Sequence, residues 1–228
     1  MTMPFTVQQF FEVFASYNAA IWPAQIAAYV FGLAVVASIG LKWPNAPLFI
    51  LSALAFMWLW NGIGYQLMFF APINPAAKVF AGTFVVQAML LAGCAIAPRG
   101  LTFQIGRDVR SAAGLMFILF AMFVYPALGF LAGHGFMSGP MFGVAPCPTT
   151  IFTIGLLLLA HGRLVSVLAI IPFLWSLVGL AAALQLRMYE DLVLPIASVV
   201  LVVILTVEAF RGRRDRGITR AAPGPAAR

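Results

Sequence analysis

Seven runs of continuously apolar residues divide this chain, separated by connections where charge, glycine and proline collect. They cover Ala19–Leu41, Ala46–Ile73, Val79–Ala97, Ala112–Ala132, Thr149–Ala160, Leu164–Leu186 and Leu192–Phe210. A helix needs roughly 20 residues to cross hydrocarbon. Six runs meet that length. The fifth, with 12 residues, must borrow its flanks, dip partway or sit within protein. Continuous rather than alternating apolarity predicts helices and not the strands of a barrel. The expected fold is all-α: a polytopic bundle of seven transmembrane helices over residues 19–210.

Residues 1–18 carry a different pattern, that of an amphipathic helix lying in the membrane interface. Thr6 and Gln9 have capping-box spacing. Val7, Phe10, Phe11, Phe14 and Tyr17 share one face, and Gln8, Glu12 and Ser16 the other. The plain reading is an interfacial anchor. The sharper one is a lid over an outward-facing cavity, with Glu12 directed into it. No basic leader precedes the first run, so a retained anchor is expected in place of a cleaved signal.

Composition supports lipid as the solvent. The chain is 63% hydrophobic and 8% charged, with a mean hydropathy of +1.03. A soluble domain carries about a quarter charged residues. The net charge of +7 is confined to run ends and the tail, which points to topology and anionic lipid headgroups and away from nucleic acid. Lys42, Arg99, Arg107, Arg110, Arg163 and the tail arginines from Arg211 to Arg228 fall on one side, with only Lys78 and Arg187 opposite. The positive-inside rule then sets the N-terminus outside and the basic tail, residues 211–228, in the cytoplasm of a bacterial inner membrane. A re-entrant fifth run would reverse the tail, so a crossing is expected. From Gly212 onward the composition reads as disordered.

Polar groups within hydrocarbon are costly and usually face inward. Trp60, Asn61, Tyr65 and Gln66 enrich the second span, with Asn61 and Tyr65 on one helical face. Gln87 sits near the middle of the third, and Trp175 and Ser176 lie in the sixth. No ionisable residue is expected at mid-depth, and Glu208 is expected near Arg211 at the inner end of the last span. A buried carboxylate relay is therefore not anticipated. A retinal Schiff base is excluded because both lysines lie in connections. Asn74-Pro75-Ala76 resembles the aquaporin triplet, but it occurs once and is explained by Asn74 capping the third helix ahead of Pro75. Pro126 and Pro172 are expected to kink their spans.

The fourth connection is long, almost uncharged and rich in glycine and proline. It carries His134 and leads to Cys147, held between Pro146 and Pro148 at the start of the fifth helix. Together with Glu190, Asp191 and Glu12, these residues are the outer-side ligand candidates. Their convergence depends on packing. No metal spacing, catalytic constellation or cofactor motif is evident. Cys94 and Cys147 fall at opposite membrane faces, which precludes a disulfide.

Trp60-Asn61-Gly62 through Tyr65, Phe69-Phe70, Ile73 to Ala77, Phe142 to Thr153 and Pro172 to Ser176 together resemble an uncharacterised bacterial family of multi-spanning membrane proteins, a domain of unknown function. The resemblance implies a membrane protein and lends no activity. In similar sequences a histidine follows the tyrosine; Gln66 stands there here, which argues against a metal. Three functions stay open. The first is transport of a small neutral or weakly polar solute past Trp60, Asn61, Tyr65, Gln87, Trp175 and Ser176. The second is a sensor or assembly protein with an outward pocket drawing on His134, Cys147 and Asp191. The third is a thiol enzyme built on Cys147.

Overall fold

The computed structural model describes residues 4–96, 100–133, 135, 137–186 and 188–221, with side chains through Arg211. His134 and Arg187 thus lie outside the described residues. The helices are α1 (Val7–Ala20), α2 (Ala24–Gly40), α3 (Ala46–Trp60), α4 (Ala77–Ile96), α5 (Val109–Leu119), α6 (Tyr125–Leu131), α7 (Pro146–Leu159), α8 (Val165–Leu168), α9 (Ile170–Leu186) and α10 (Val193–Ala221). A ten-residue π-helix, Asn61–Phe70, continues α3, and a second π segment, Phe120–Val124, joins α5 to α6. The chain is an all-α bundle. Among the described residues five helical stretches are long and apolar enough to cross a membrane: 46–70, 77–96, 109–131, 165–186 and 189–211. The pair α1 and α2 passes that test jointly but is bent by 82°.

Two expectations shift here. The first span does not begin at Ala19, because the chain turns at 21–23 and α2 restarts after Pro23, leaving 17 residues. At the other end α10 continues as helix to Ala221, into the stretch whose composition reads as disordered. The capping box at Thr6 forms as expected, with Thr6 and Gln9 bonding reciprocally at 2.8 and 3.2 Å. Asn74 accepts from Ala76 N–H at 3.2 Å, so it stabilises the turn before α4, which begins at Ala77.

The short helix α7 is the centre of the bundle. Every residue from Pro148 to Leu159 is buried, and α3, α5, α9 and α10 pack around it. A helix of 14 residues is only about 21 Å long, and this one sits in protein rather than lipid. That resolves its length: short or irregular backbone is tolerated at membrane depth where protein surrounds it. Close approach is possible because α5 and α7 cross at paired glycines; a Cβ on Gly114 would lie 2.8 Å from the Gly155 carbonyl oxygen.

The connections sort to two ends. At one end β1 (Thr102–Phe103) of the third connection pairs antiparallel with β2 (Ala160–His161) of the fifth, Thr102 opposite His161. There Asp108 caps α5 by accepting from Ser111 N–H at 2.8 Å, which holds its carboxyl below the ordinary value. At the other end α1 meets the fourth connection, where Tyr17 donates to Val144 O at 2.8 Å and Asn18 to Met137 O and Gly139 O. The fourth connection is itself buried from Pro140 to Ala145. Gly143, at φ +77°, lets it touch α2, since a Cβ there would sit 2.7 Å from Ala28 Cβ.

Both internal prolines are accommodated by side chains from a neighbouring helix. Proline has no N–H to donate to the carbonyl four residues back. For Pro126 that carbonyl is Met122, and Tyr29 donates to it at 2.8 Å. For Pro172 it is Leu168, and Gln87 donates to it at 3.0 Å. Gln87 is therefore a helix-repair residue. Gln87→Leu should cost about 1–3 kcal/mol by orphaning a buried carbonyl, more than the roughly 0.6 kcal/mol of an average interhelical hydrogen bond. Thermal unfolding in detergent checks this, and an unchanged midpoint would refute the repair.

Candidate functional site

The π-helix decides which polar groups of the second span face inward. Hydrogen bonding from i to i+5 places residues four and five apart on one face, and Ala71 N–H indeed bonds Gln66 O at 2.9 Å. Asn61, Tyr65, Gln66 and Phe70 are accordingly all buried. An α-helix would have turned Gln66 away from Asn61. Gly62 permits the close approach of α4, because a Cβ there would lie 3.1 Å from Ala81 O.

Tyr65 and Gln66 border a cavity of about 190 Å³ beneath α1. Asn74, Cys147, Trp175, Gln185 and Asp191 complete its polar lining. Phe10 and Phe14 of α1, with Phe70 and Phe80, supply aromatic walls. Phe14 stacks on Tyr65 at 4.7 Å, and Tyr65 on Phe70 at 5.6 Å. The exposed rim is formed by Pro4, Ala181 and Gln185. Aromatic packing thus makes α1 a cover over this space. Glu12 is not part of it: the residue is exposed and accepts from Gln8 Nε2 at 2.8 Å.

The polar atoms around this space are unusually under-bonded. Among the described residues neither the Tyr65 hydroxyl nor either end of the Gln66 amide has a hydrogen-bond partner, although the residues are only 2% and 1% exposed. The Trp175 indole N–H makes no bond of normal geometry and lies beside the Cys147 sulfur. Each such buried orphan costs about 1–3 kcal/mol. Native interiors seldom keep several together without a reason.

Asp191 falls where the sequence places an outer connection, away from the mid-depth of any span, and connections ordinarily face water. Instead the 3₁₀ turn Tyr189–Leu192 packs against α9 and buries both Glu190 and Asp191 to 3% exposure. Asp191 Oδ1 accepts from Tyr125 O–H at 2.6 Å, and the Cys147 thiol also bonds this carboxyl. Cys147 and Asp191 therefore converge as the candidate list allowed. Among the described residues no three His, Cys, Asp or Glu side chains are placed to hold a metal ion.

The remaining candidates separate. Trp60 turns away and donates to Tyr17 O–H at 2.8 Å. Asn61 is tied to Met57 O at 2.8 Å and Gly143 O at 3.2 Å, knitting the second span to the fourth connection. Ser176 bonds its own helix at Phe173 O, and Gln87 repairs α9. His134 lies outside the described residues. Sequence reasoning missed Tyr125 altogether and left Gln66 out of the site. No local signal marks Tyr125, since its role depends on Asp191 arriving from 66 residues away.

An all-α bundle with five helical stretches long and apolar enough to cross a membrane is the class this architecture defines, with an aromatic-walled polar cavity at the end of the bundle that carries α1. The chain belongs to DUF6064, a family of unknown function, whose family model matches residues 7–216. No curated protein and no solved structure matches it.

Proposed function

We propose that this protein is a membrane-embedded binding protein whose cavity beneath α1 takes a small, mostly apolar solute with a hydrogen-bonding head. The observation that carries the reading is the cluster of orphaned polar atoms on Tyr65 and Gln66 in an otherwise aromatic cavity. Solute-sized sites are mainly apolar with a few convergent polar groups. The size fits a compact molecule, since about 190 Å³ equals roughly six water volumes at about 30 Å³ each. A receptor or sensor with one-sided access is favoured, because the core beneath is filled. There Trp58 donates to Thr153 at 2.9 Å and Phe142 packs edge-on against Phe152.

A second reading, permeation of the same solute, is supported by the irregular helix beside the cavity. The π segment of 61–70 carries Tyr65, Gln66 and Phe70 of its lining, and π geometry inside a span is frequent at functional sites. In both readings the protein is a seven-span chain of a bacterial inner membrane, cavity end outward. The basic tail then meets anionic headgroups, in keeping with the charge asymmetry.

The test uses benzyl alcohol as the probe solute and protein in lipid nanodiscs. Benzyl alcohol should raise the unfolding midpoint in a saturable manner. Gln66→Leu should remove that response while stabilising the free protein by about 1–3 kcal/mol, because a buried orphan amide is gone. A variant that responds as the parent does would sink the site. Uptake of labelled benzyl alcohol into proteoliposomes separates the two readings: saturable flux indicates permeation, and binding without flux a receptor.

A further inference from the structure

We infer that the head group recognised in this cavity is a cation, so that the ligand is a small organic amine bound through Asp191 against aromatic rings. The inference rests on the binding reading above and names its ligand class. Three features of the cavity carry it.

The first is the bonding state of Asp191. Its neighbours Tyr125 and Cys147 both bond to it, Tyr125 donating to Oδ1 at 2.6 Å. Two bonds leave lone-pair positions on a carboxylate unused, and Asp191 faces the cavity. The ion pair found among the described residues, Arg110 with Glu208, lies at the opposite end of the bundle. No described cation touches Asp191.

The second feature is the wall. Phe14, Tyr65, Phe70 and Trp175 line the same cavity as Asp191, so an aromatic surface borders the carboxylate. Ring faces attract cations, and that attraction strengthens when water is excluded. The third is independent of the acidic group. The Gln66 carbonyl oxygen and the Tyr65 hydroxyl oxygen are unpartnered acceptors lining the same space. An alkylammonium offers three hydrogens, which Asp191, Gln66 and Tyr65 can accept together. A metal cation would demand several hard oxygens at short range, and the described residues do not group them.

This reverses the charge preference expected from sequence, for a physical reason. A neutral solute was favoured because no buried charge was anticipated, and the burial of Asp191 supplies one. Removing a carboxylate from water is costly unless a counter-charge compensates it. A bound ammonium is that counter-charge.

The experiment compares benzylamine, benzyl alcohol and benzoate on the protein in nanodiscs, with empty nanodiscs correcting for partition. Benzylamine should bind at least about tenfold more tightly than benzyl alcohol, and benzoate more weakly than either. Asp191→Asn keeps the shape and the Tyr125 hydrogen bond. It should weaken benzylamine at least about tenfold, and weaken it more than it weakens benzyl alcohol. Equal affinity for the amine and the alcohol in the unaltered protein would overturn the cation inference and leave the binding reading standing. Absence of binding by all three would overturn both. The three-compound series needs no variant, so it decides the matter even if Asp191→Asn does not fold.

Discussion

Gly155→Leu should yield no folded protein, and Gly155→Ala should cost at least about 3 kcal/mol, the upper range for overpacking a core. The reason is backbone against backbone. A Cβ at Gly155 would stand 2.8 Å from the Gly114 carbonyl oxygen and 3.0 Å from Ile118 N, closer than a methyl can approach. Flexible side chains can move aside from such a contact; two helical backbones cannot. Retreat is also blocked, because α7 is enclosed by α3, α9 and α10 on its remaining sides. In membranes, small residues at a crossing are the main route to close helix packing. Gly82→Ala and Gly93→Ala are the controls. Nothing lies within 4 Å of a Cβ at either position, so each should be neutral or gain up to about 1 kcal/mol from helix propensity. Unfolding in mixed detergent micelles measures all four. A folded Gly155→Leu protein would show that α5 and α7 do not cross here.

Arg110→Met is the second large effect, expected at about 3–5 kcal/mol. Its guanidinium closes the C-terminal end of the central helix. Nε donates to Leu158 O at 2.7 Å, Nη2 reaches Leu157 O and Ala160 O, and Nη1 bonds Glu208 at 2.7 and 2.8 Å. Gln104 N–H takes the neighbouring Leu159 carbonyl at 2.9 Å. A helix leaves its last four carbonyls unsatisfied. Here the end is buried, where each orphan would cost several kcal/mol. The carbonyls, and not the ion pair, carry most of the effect. Glu208 is 47% exposed, so water screens it and Glu208→Gln should cost less than about 1 kcal/mol. Arg110→Lys should rescue only in part, because an ammonium lacks the planar fork that spans several acceptors. If Glu208→Gln proves as harmful as Arg110→Met, the capping account fails. Glu208 pairs with Arg110 on α5, a contact its position near Arg211 does not announce.

Arg110 illustrates how the two levels of reading divide. In the sequence it counts as one more positive charge at a membrane face, and that inference needs only its position. Its task as a cap depends on a helix that begins 36 residues later, which no local pattern announces. The same holds for Gln87 and Tyr29. Their hydrogen bonds follow from prolines on other helices, so they read as polar residues in need of a partner and nothing more.

The cavity was legible in fragments. Tyr65, Cys147, Trp175 and Asp191 were all candidates, and they converge. Gln66 counted among the polar residues of the second span but not among the site candidates, and the π register brings it in. Asp191 counted as an outer-side candidate whose convergence with Cys147 depended on packing. Burying it took the packing of the 3₁₀ turn between α9 and α10.

By itself the sequence determined that this is a helical bundle suited to lipid, where its apolar runs lie, and that α1 has one aromatic face. Those properties are sums of transfer free energies over one segment, or periodicities within it, and need no knowledge of neighbours. Only the tertiary structure decided that α7 is enclosed, that Arg110 closes it, and that Tyr65, Gln66 and Asp191 share a space under α1. The energy of a buried polar atom depends on which groups from distant segments surround it, and that arrangement exists only once the helices have packed.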